Sequence, residues 1–487
     1  MSGGVVAGLA VLVPLLGAGA IGLLRERPNL RETATLITAG VLFLLVASLM
    51  MGVTHGDRPG LVLGEMLPGV SLAFEVEPLG LLFGLLASFL WIVTSVYSIG
   101  YMRGHQEEHQ TRFYLFFAVA LAGAMGVAFA ANLFTLFIFY EVLTLSTYPL
   151  VTHHGTDQAR QGGRVYLGIL LGTSIGLFLP AIVWTWLLAG TLDFHAGGIL
   201  PADASPRAVA LLLTLYVFGI GKTAVMPFHR WLPAAMVAPT PVSALLHAVA
   251  IVKAGVFTIL KVTLYVFGPA RLEELGSSQW LAYVAGATIL LASLVAFTKD
   301  NLKARLAYST ISQLSYIVLG AMLANAWGII GGGMHIVMHA FGKITLFFGA
   351  GAIAVAAHKT EISQMRGLGR SMPVTMIAFL VGSLAVIGLP PAGGVWSKWY
   401  LGLGTLEAGQ PLLLGVLLVS SLLNIVNLLE IPARAFFGRS DPNTAEAGIR
   451  EAPVPMLVAM VLTAAATIVL FIYPDPLYRL LRMIVES

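Results

Sequence analysis

The stretch Gly388-Leu-Pro-Pro-Ala-Gly-Gly-Val-Trp-Ser-Lys-Trp-Tyr-Leu401 breaks its own helix and then sets a lysine just past the break. Pro390, Pro391, Gly393 and Gly394 interrupt a run that is otherwise apolar enough to cross a bilayer, and Lys398 follows them. A second stretch does the same: Gly219-Ile-Gly-Lys-Thr-Ala-Val-Met-Pro-Phe-His-Arg-Trp-Leu-Pro carries Lys222 before Pro227. A proline frees backbone groups at mid-membrane, and these are tolerable only where protein or water satisfies them. A kink in a packed helix would use the same prolines but would need no lysine beside it.

The chain around these breaks is a membrane chain. Of its 487 residues, 58% are hydrophobic and 10% charged, with a mean hydropathy of +0.89, against about 25% charged in an ordinary soluble domain. Runs of about 20 apolar residues span a bilayer, and they predict fourteen spans. In order they lie near 5–24, 34–54, 77–101, 111–130, 131–152, 163–188, 207–237, 240–266, 279–297, 301–323, 327–357, 373–404, 411–437 and 453–474. The first is expected to be retained, because no basic segment precedes it as in a cleaved signal peptide. The absence of cysteine excludes thiolate-held clusters and disulfides in this chain.

Loop charge sets an orientation. With the N-terminus outside, 17 basic residues fall in inner loops, from Arg25 to Arg450, and five outside: Arg58, Arg207, Arg271, Arg479 and Arg482. That bias favours both termini outside. It also accounts for the sequence pI near 9.2 without nucleic acid. The other five basic residues lie within spans, and all are lysine: Lys222, Lys253, Lys261, Lys343 and Lys398. The chain holds 19 Arg and 8 Lys, so chance would give this less than about once in a thousand draws. Arginine is permanently charged, whereas a desolvated lysine can release its proton. Lys261, near the outer end of span 8, is expected to snorkel to the interface.

The fold expected is all-α, with about fourteen transmembrane helices. The broken spans 7 and 12 stand five helices apart, as in two inverted five-helix repeats, spans 4–8 (111–266) and 9–13 (279–437). Residues 1–110 supply spans 1–3, and 453–487 supply span 14 and a short tail.

Other buried charges join the lysines. Glu141 lies mid-span in helix 5 and has Lys222 as its natural partner, as a working pair or as a structural tie between spans 5 and 7. His247 and Lys253 on span 8 are six residues apart, about 120° around the helix. His335, His339 and Lys343 follow at i, i+4 and i+8 on span 11, a stripe suited to a proton relay, with Gly331 to Gly333 expected as a break. Glu430 is expected as an interface charge. Two histidines on one helix face cannot ligate opposite sides of a haem, and carboxylates do not converge with them, so no cofactor is expected. The sequence places no cation site. Lysines about 10 Å apart at an effective dielectric near 20 would repel by about 1.7 kcal/mol, enough to drive a proton onward.

The motifs FYEVLTLSTYPLV (139–151), GIGKTAVMPFHRWLPAAMVAPTPVSALLHAVAIVKAG (219–255), DNLKARLAYSTISQLSYI (300–317), HIVMHAFGKITLFF (335–348) and GLPPAGGVWSKWYL resemble one family. It is that of the antiporter-like subunits shared by respiratory complex I, membrane-bound hydrogenases and multisubunit Mrp-type cation/proton antiporters. The resemblance covers roughly 75–437. Length, span number and lysine in span 12 place the chain nearest the Mrp D subunit. The resemblance implies roles: Glu141 and Lys222 gate one half-channel, Lys253 bridges, His339 and Lys343 relay, and Lys398 ends the second half-channel, with His247 a possible sharer of the bridge. It also implies partner membrane subunits, protons and monovalent cations such as Na⁺ as the transported species, and a prokaryotic cell membrane. The chain is then a transporter subunit and not itself an enzyme. The alternative is a proton-pumping subunit of a complex I-like NADH dehydrogenase or membrane-bound hydrogenase.

Overall fold

The computed structural model describes residues 2–245, 250–438 and 448–486. Among them, eleven helices are long and apolar enough to cross a membrane. They correspond to spans 1–6, 9–11, 13 and 14. The other three predicted crossings are described in pieces; the residues that break spans 7 and 12 were visible in the sequence, whereas span 8 was read as one continuous helix.

Span 7 is the helix Pro206–Gly219, a 3₁₀ turn Gly221–Thr223, and short helical pieces Trp231–Ala234 and Ala235–Val237. Span 12 is Pro373–Ile387 and Gly394–Glu407. The peptide bonds Met226–Pro227 and Pro390–Pro391 are cis, one in each break. Gly388 closes the first half of span 12 in the left-handed region, at φ 85°, a conformation open to glycine at little cost. Span 8 begins as Thr240–Ala244 and continues as Ile251–Phe267, then turns by 79° into Pro269–Leu275.

Span 11, Ala326–Ala357, is the axis of the molecule and is buried on all sides from Gly328 to Ile353. Spans 10, 12 and 14 pack around it. Gly331 to Gly333 do not break it, contrary to expectation: the helix runs unbroken for 32 residues. These glycines are contact points instead. A Cβ on Gly331 would stand 2.7 Å from the Leu401 backbone nitrogen, and one on Gly333 would run into the Leu481 side chain. Leu481 belongs to an amphipathic C-terminal helix, Asp475–Glu486, whose Leu481 and Ile484 are buried.

The loop between spans 2 and 3 adds a hairpin, strands β1 (Gly60–Leu67) and β2 (Val70–Glu75), antiparallel with Gly60 opposite Glu75. A Pro68-Gly69 turn and a second strand in which Val70, Leu72 and Phe74 alternate with Ser71, Ala73 and Glu75 explain it. It is tied to span 5 by the Asn132 carboxamide, which donates to Ser71 O at 2.9 Å. Large apolar side chains such as Leu44, Leu187 and Leu422 point outward, while the polar residues are gathered inside. This inversion suits a multi-pass membrane protein.

Candidate proton pathway

Lys222 is fully buried at the break of span 7. Its ammonium donates to Tyr140 O at 2.9 Å and to the Thr144 hydroxyl at 2.5 Å, and lies 3.0 Å from the centroid of the Tyr140 ring. Those groups stand on span 5, beside Glu141. The expected Glu141–Lys222 ion pair is not closed: among the described residues both Glu141 carboxylate oxygens are buried without a hydrogen-bond partner. Glu141 adjoins Tyr140, whose carbonyl accepts from Lys222.

Lys398 repeats the arrangement on span 12. Its Nζ donates to Ile387 O at 2.7 Å, contacts the Ser421 hydroxyl at 3.2 Å, and lies 4.8 Å from the Tyr316 ring centroid. In an unbroken helix the Ile387 carbonyl would accept the N–H of residue 391. Residue 391 is proline and has none. The break therefore hands a free carbonyl to the lysine beside it. Each broken span thus carries a lysine over a tyrosine from the second span of its half, Tyr140 from span 5 and Tyr316 from span 10.

Between the two lysines lies a chain of imidazoles. Lys253 Nζ is 2.7 Å from His339 Nδ1. The His339 and His335 rings stack at 5.6 Å, and His335 stacks on Tyr316 at 5.5 Å. His335 Nδ1 is 2.8 Å from the hydroxyl of Ser397, the residue preceding Lys398. The series of contacts from Lys253 to Ser397 thus passes through His335. Lys343, on the same helix face, instead donates to Leu306 O at 3.1 Å. At the other end, span 8 touches the first break: a Cβ on Gly255 would fall 2.6 Å from the Lys222 carbonyl carbon. His247 lies outside the described residues.

One expectation is corrected. Lys261 does not snorkel; it is 1% exposed and sits 3.2 Å from Glu77 Oε1, donating also to Ala130 O at 2.9 Å. Glu77 meanwhile accepts from the backbone N–H groups of Leu79 and Gly80 and from the Tyr265 hydroxyl. Every atom of this pair is engaged, and it ties span 8 to span 3. Glu430, near the end of span 13, holds Arg305 of span 10 and Arg434, each at 2.6 Å. Sequence reading missed Tyr140, Tyr316, Thr144 and Ser397, since aromatic and hydroxyl residues are ordinary in membrane helices. For Tyr140, Thr144 and Ser397 the signal was position alone, one turn or less from a singled-out charge; Tyr316 had none, since it meets Lys398 only through packing.

Beyond the spans, Glu107 and His154 form an ion pair at 3.3 Å, with His153 Nε2 3.8 Å from the same carboxylate. Burial pushes the Glu107 carboxyl up, but the His154 hydrogen bond and the histidine charges together bring it below its ordinary value. The bond to Glu107 raises His154. Burial lowers His153 to about 4.

A family model described as NADH:quinone oxidoreductase/Mrp antiporter, TM, matches residues 130–424, which hold both breaks and every lysine described above. The chain belongs to that family. Members similar to it include NADH-quinone oxidoreductase subunit N of Desulforudis audaxviator, 31% identical over 96% of this chain and 95% of the relative. Subunit L of Mycobacterium tuberculosis is 32% identical over 82% of this chain and 62% of that longer protein. In fold, the chain matches a subunit of the Mrp complex from Dietzia sp. DQ12-45-1b (TM-score 0.87, 23% identity, 99% and 96% covered). It matches a chain of the archaeal membrane-bound sulfane sulfur reductase almost equally (0.86, 24%, 99% and 98%). The protein is therefore a membrane-embedded, antiporter-like subunit of this family.

Proposed function

We propose that the chain carries protons between Lys222 and Lys398 through Lys253, His339 and His335, as one subunit of a multisubunit monovalent cation (Na⁺)/proton antiporter. The observation that carries the reading is the contact series from Lys253 to Lys398, in which neighbouring groups are hydrogen-bonded or stacked ring on ring. Glu141, unbonded and one residue from Tyr140, sets the charge felt at Lys222. Lysine suits each terminal position because it can give up its proton, and arginine cannot.

The test replaces that property and keeps the charge. In membrane vesicles holding the assembled complex, Lys222→Arg and Lys398→Arg are expected to abolish proton-coupled cation transport while assembly survives. Transport at wild-type rates in both variants would refute the pathway. The loop-charge bias supports a prokaryotic inner membrane with both termini outside, and the paired breaks support the halves 111–266 and 279–437 as repeats.

A second reading is favoured by the relatives, which are named as NADH-quinone oxidoreductase subunits: the same pathway would then serve a redox-driven pump. Purification of the native assembly separates the two. Co-purifying flavin or iron–sulfur subunits would establish the pump, and their absence from an assembly active in cation exchange would establish the antiporter.

A further inference from the structure

Span 11 ends at Ala357, and His358 turns the chain out of the helix at φ 55°. The segment that follows returns through Arg366 and a short turn, Leu368–Ser371, before span 12 starts at Pro373. Residues 448–451 lie against that turn, with the Arg450 N–H donating to Ser371 O at 2.8 Å. Together the three segments line a cavity of about 340 Å³ that is charged by Lys359, Arg366, Arg370 and Arg450. The three arginines are exposed and Lys359 is half-buried.

No carboxylate stands among the described residues that line this cavity. Those on the adjoining segments are engaged elsewhere. Glu451, next to Arg450, serves the start of span 12, where it accepts from the N–H groups of Val374 and Thr375 at 2.6 and 3.2 Å and from the Thr375 hydroxyl at 2.5 Å. Asp300 accepts from the Ser363 amide and hydroxyl, Glu361 accepts from Asn301, and Glu430 holds Arg305 and Arg434. Among the described residues none of the four cations forms an ion pair. Like charges gathered around one cavity repel, and an anion seated among them relieves that repulsion.

The surroundings say what kind of anion. Span 12 and span 14 (Val454–Ile472) leave the cavity in contact with each other. They expose Val374 and Ile377 on the one and Val454 and Val458 on the other, while Ile449, in the cavity lining itself, is 73% exposed. Exposed apolar faces of membrane-crossing helices meet acyl chains. A free phosphate would use the cations alone, whereas a phospholipid uses the cations and the apolar faces together. We propose that the cavity seats the phosphate headgroup of an anionic glycerophospholipid, held by Lys359, Arg366, Arg370 and Arg450, with its acyl chains along the exposed faces of spans 12 and 14. Arginine suits the task, because its guanidinium offers two parallel N–H groups to one phosphate. The lipid ties the end of span 11, the axis of the molecule, to the starts of spans 12 and 14 from outside the bundle. The site stands apart from the row of buried lysines and does not depend on the transport reading.

The test places the assembled complex in phosphatidylcholine nanodiscs doped with a trace of photoactivatable lipid, either phosphatidylglycerol or phosphatidylcholine with the same diazirine-bearing acyl chain. Cross-linked peptides of this chain are quantified by mass spectrometry and normalised to span 2, whose Ile37 and Leu44 are exposed. The segments 372–379 and 449–458 are expected to label at least tenfold more with the phosphatidylglycerol probe than with the phosphatidylcholine probe, a comparison that needs no variant. Each basic group near an anionic lipid surface strengthens binding about fivefold. Arg366→Gln, Arg370→Gln and Arg450→Gln together should therefore lower the phosphatidylglycerol labelling about 100-fold, and the corresponding three Lys replacements should keep it at least tenfold above the Gln variant. Arg25→Gln, Arg27→Gln and Arg160→Gln, at exposed arginines elsewhere, should leave it within about twofold. Excess inorganic phosphate should not displace the probe. Equal labelling by the two probes, labelling unmoved by the Gln variant in assembled complex, or an equal fall in the Arg25, Arg27 and Arg160 control would overturn the proposal. Displacement by inorganic phosphate would assign the cavity to the free anion and overturn the lipid.

Discussion

Gly255→Ala isolates the contact between span 8 and the broken span 7. The added methyl would stand 2.6 Å from the Lys222 carbonyl carbon, 2.7 Å from Thr223 N and 2.8 Å from Lys222 Cβ. Two of these are backbone atoms and the third is fixed to the backbone, so no flexible side-chain end can yield. Tight contact begins to be ordinary near 3.4 Å, so the break must move about 0.8 Å. The Lys222 bond to Tyr140 O, now 2.9 Å, would stretch to about 3.7 Å and cease to be a hydrogen bond. Overpacking costs about 1–3 kcal/mol, and a hydrogen bond to a charged group about 1.5–3 kcal/mol. At about 1.4 kcal/mol per factor of ten, proton-coupled transport per assembled complex should fall about 10- to 100-fold. Gly172→Ala and Gly415→Ala, where a Cβ meets nothing within 4 Å, should leave it unchanged. The assay is the proton gradient driven or consumed by vesicles, normalised to assembled complex on native gels. Gly255→Ala transport within about twofold of wild type, with normal assembly, would refute the coupling between Lys222 and span 8.

Two further predictions separate structural charges from working ones. Lys261→Met should destabilise the assembly by about 3–5 kcal/mol, the cost of leaving one partner of a buried pair, seen as a lower thermal midpoint. Transport per surviving complex should hold, and Glu77→Gln in the same chain should restore part of the stability. The Glu107–His154 pair should show a pH window. The contribution of Glu107, whose value is lowered, is present above the ordinary carboxyl value and lost as pH falls through the lowered one. The contribution of His154, whose value is raised, is present below the ordinary imidazole value and lost as pH rises through the raised one. The stability difference between wild type and His154→Ala should therefore peak near about pH 5–6 and fade on both sides; a difference constant from pH 5 to 9 would contradict it.

The breaks and the lysines were legible because proline and charge are rare inside apolar spans, and each marks a local rule being broken. What the sequence left open turned on rotation and partner. His335, His339 and Lys343 share one helix face, yet only the packing of spans 10 and 12 decides that His335 faces Ser397 while Lys343 faces Leu306. Gly331 to Gly333 would serve equally as a break or as a seat for Leu401 and Leu481, and those partners come from distant segments. Lys261 looked like an interface residue because Glu77 lies 184 positions away.

The partners of the lysines divide them into two kinds. A carbonyl can accept from an ammonium but can give nothing to a neutral amine, whereas a hydroxyl can do either. Lys398 has one of each, Ile387 O and the Ser421 hydroxyl. Lys222 also has one of each, Tyr140 O and the Thr144 hydroxyl. Lys253 faces an imidazole nitrogen, which accepts or donates according to its tautomer. These three keep a hydrogen-bond partner in both protonation states, so losing a proton does not leave a buried amine unserved. Among the described residues Lys343 has the Leu306 carbonyl, which accepts an N–H from either form but offers no donor to the lone pair of the neutral amine. On the proposed pathway a proton leaving Lys222, Lys253 or Lys398 leaves an amine whose lone pair has a hydroxyl or imidazole at hand to donate to it, a provision that Lys343 lacks among the described residues.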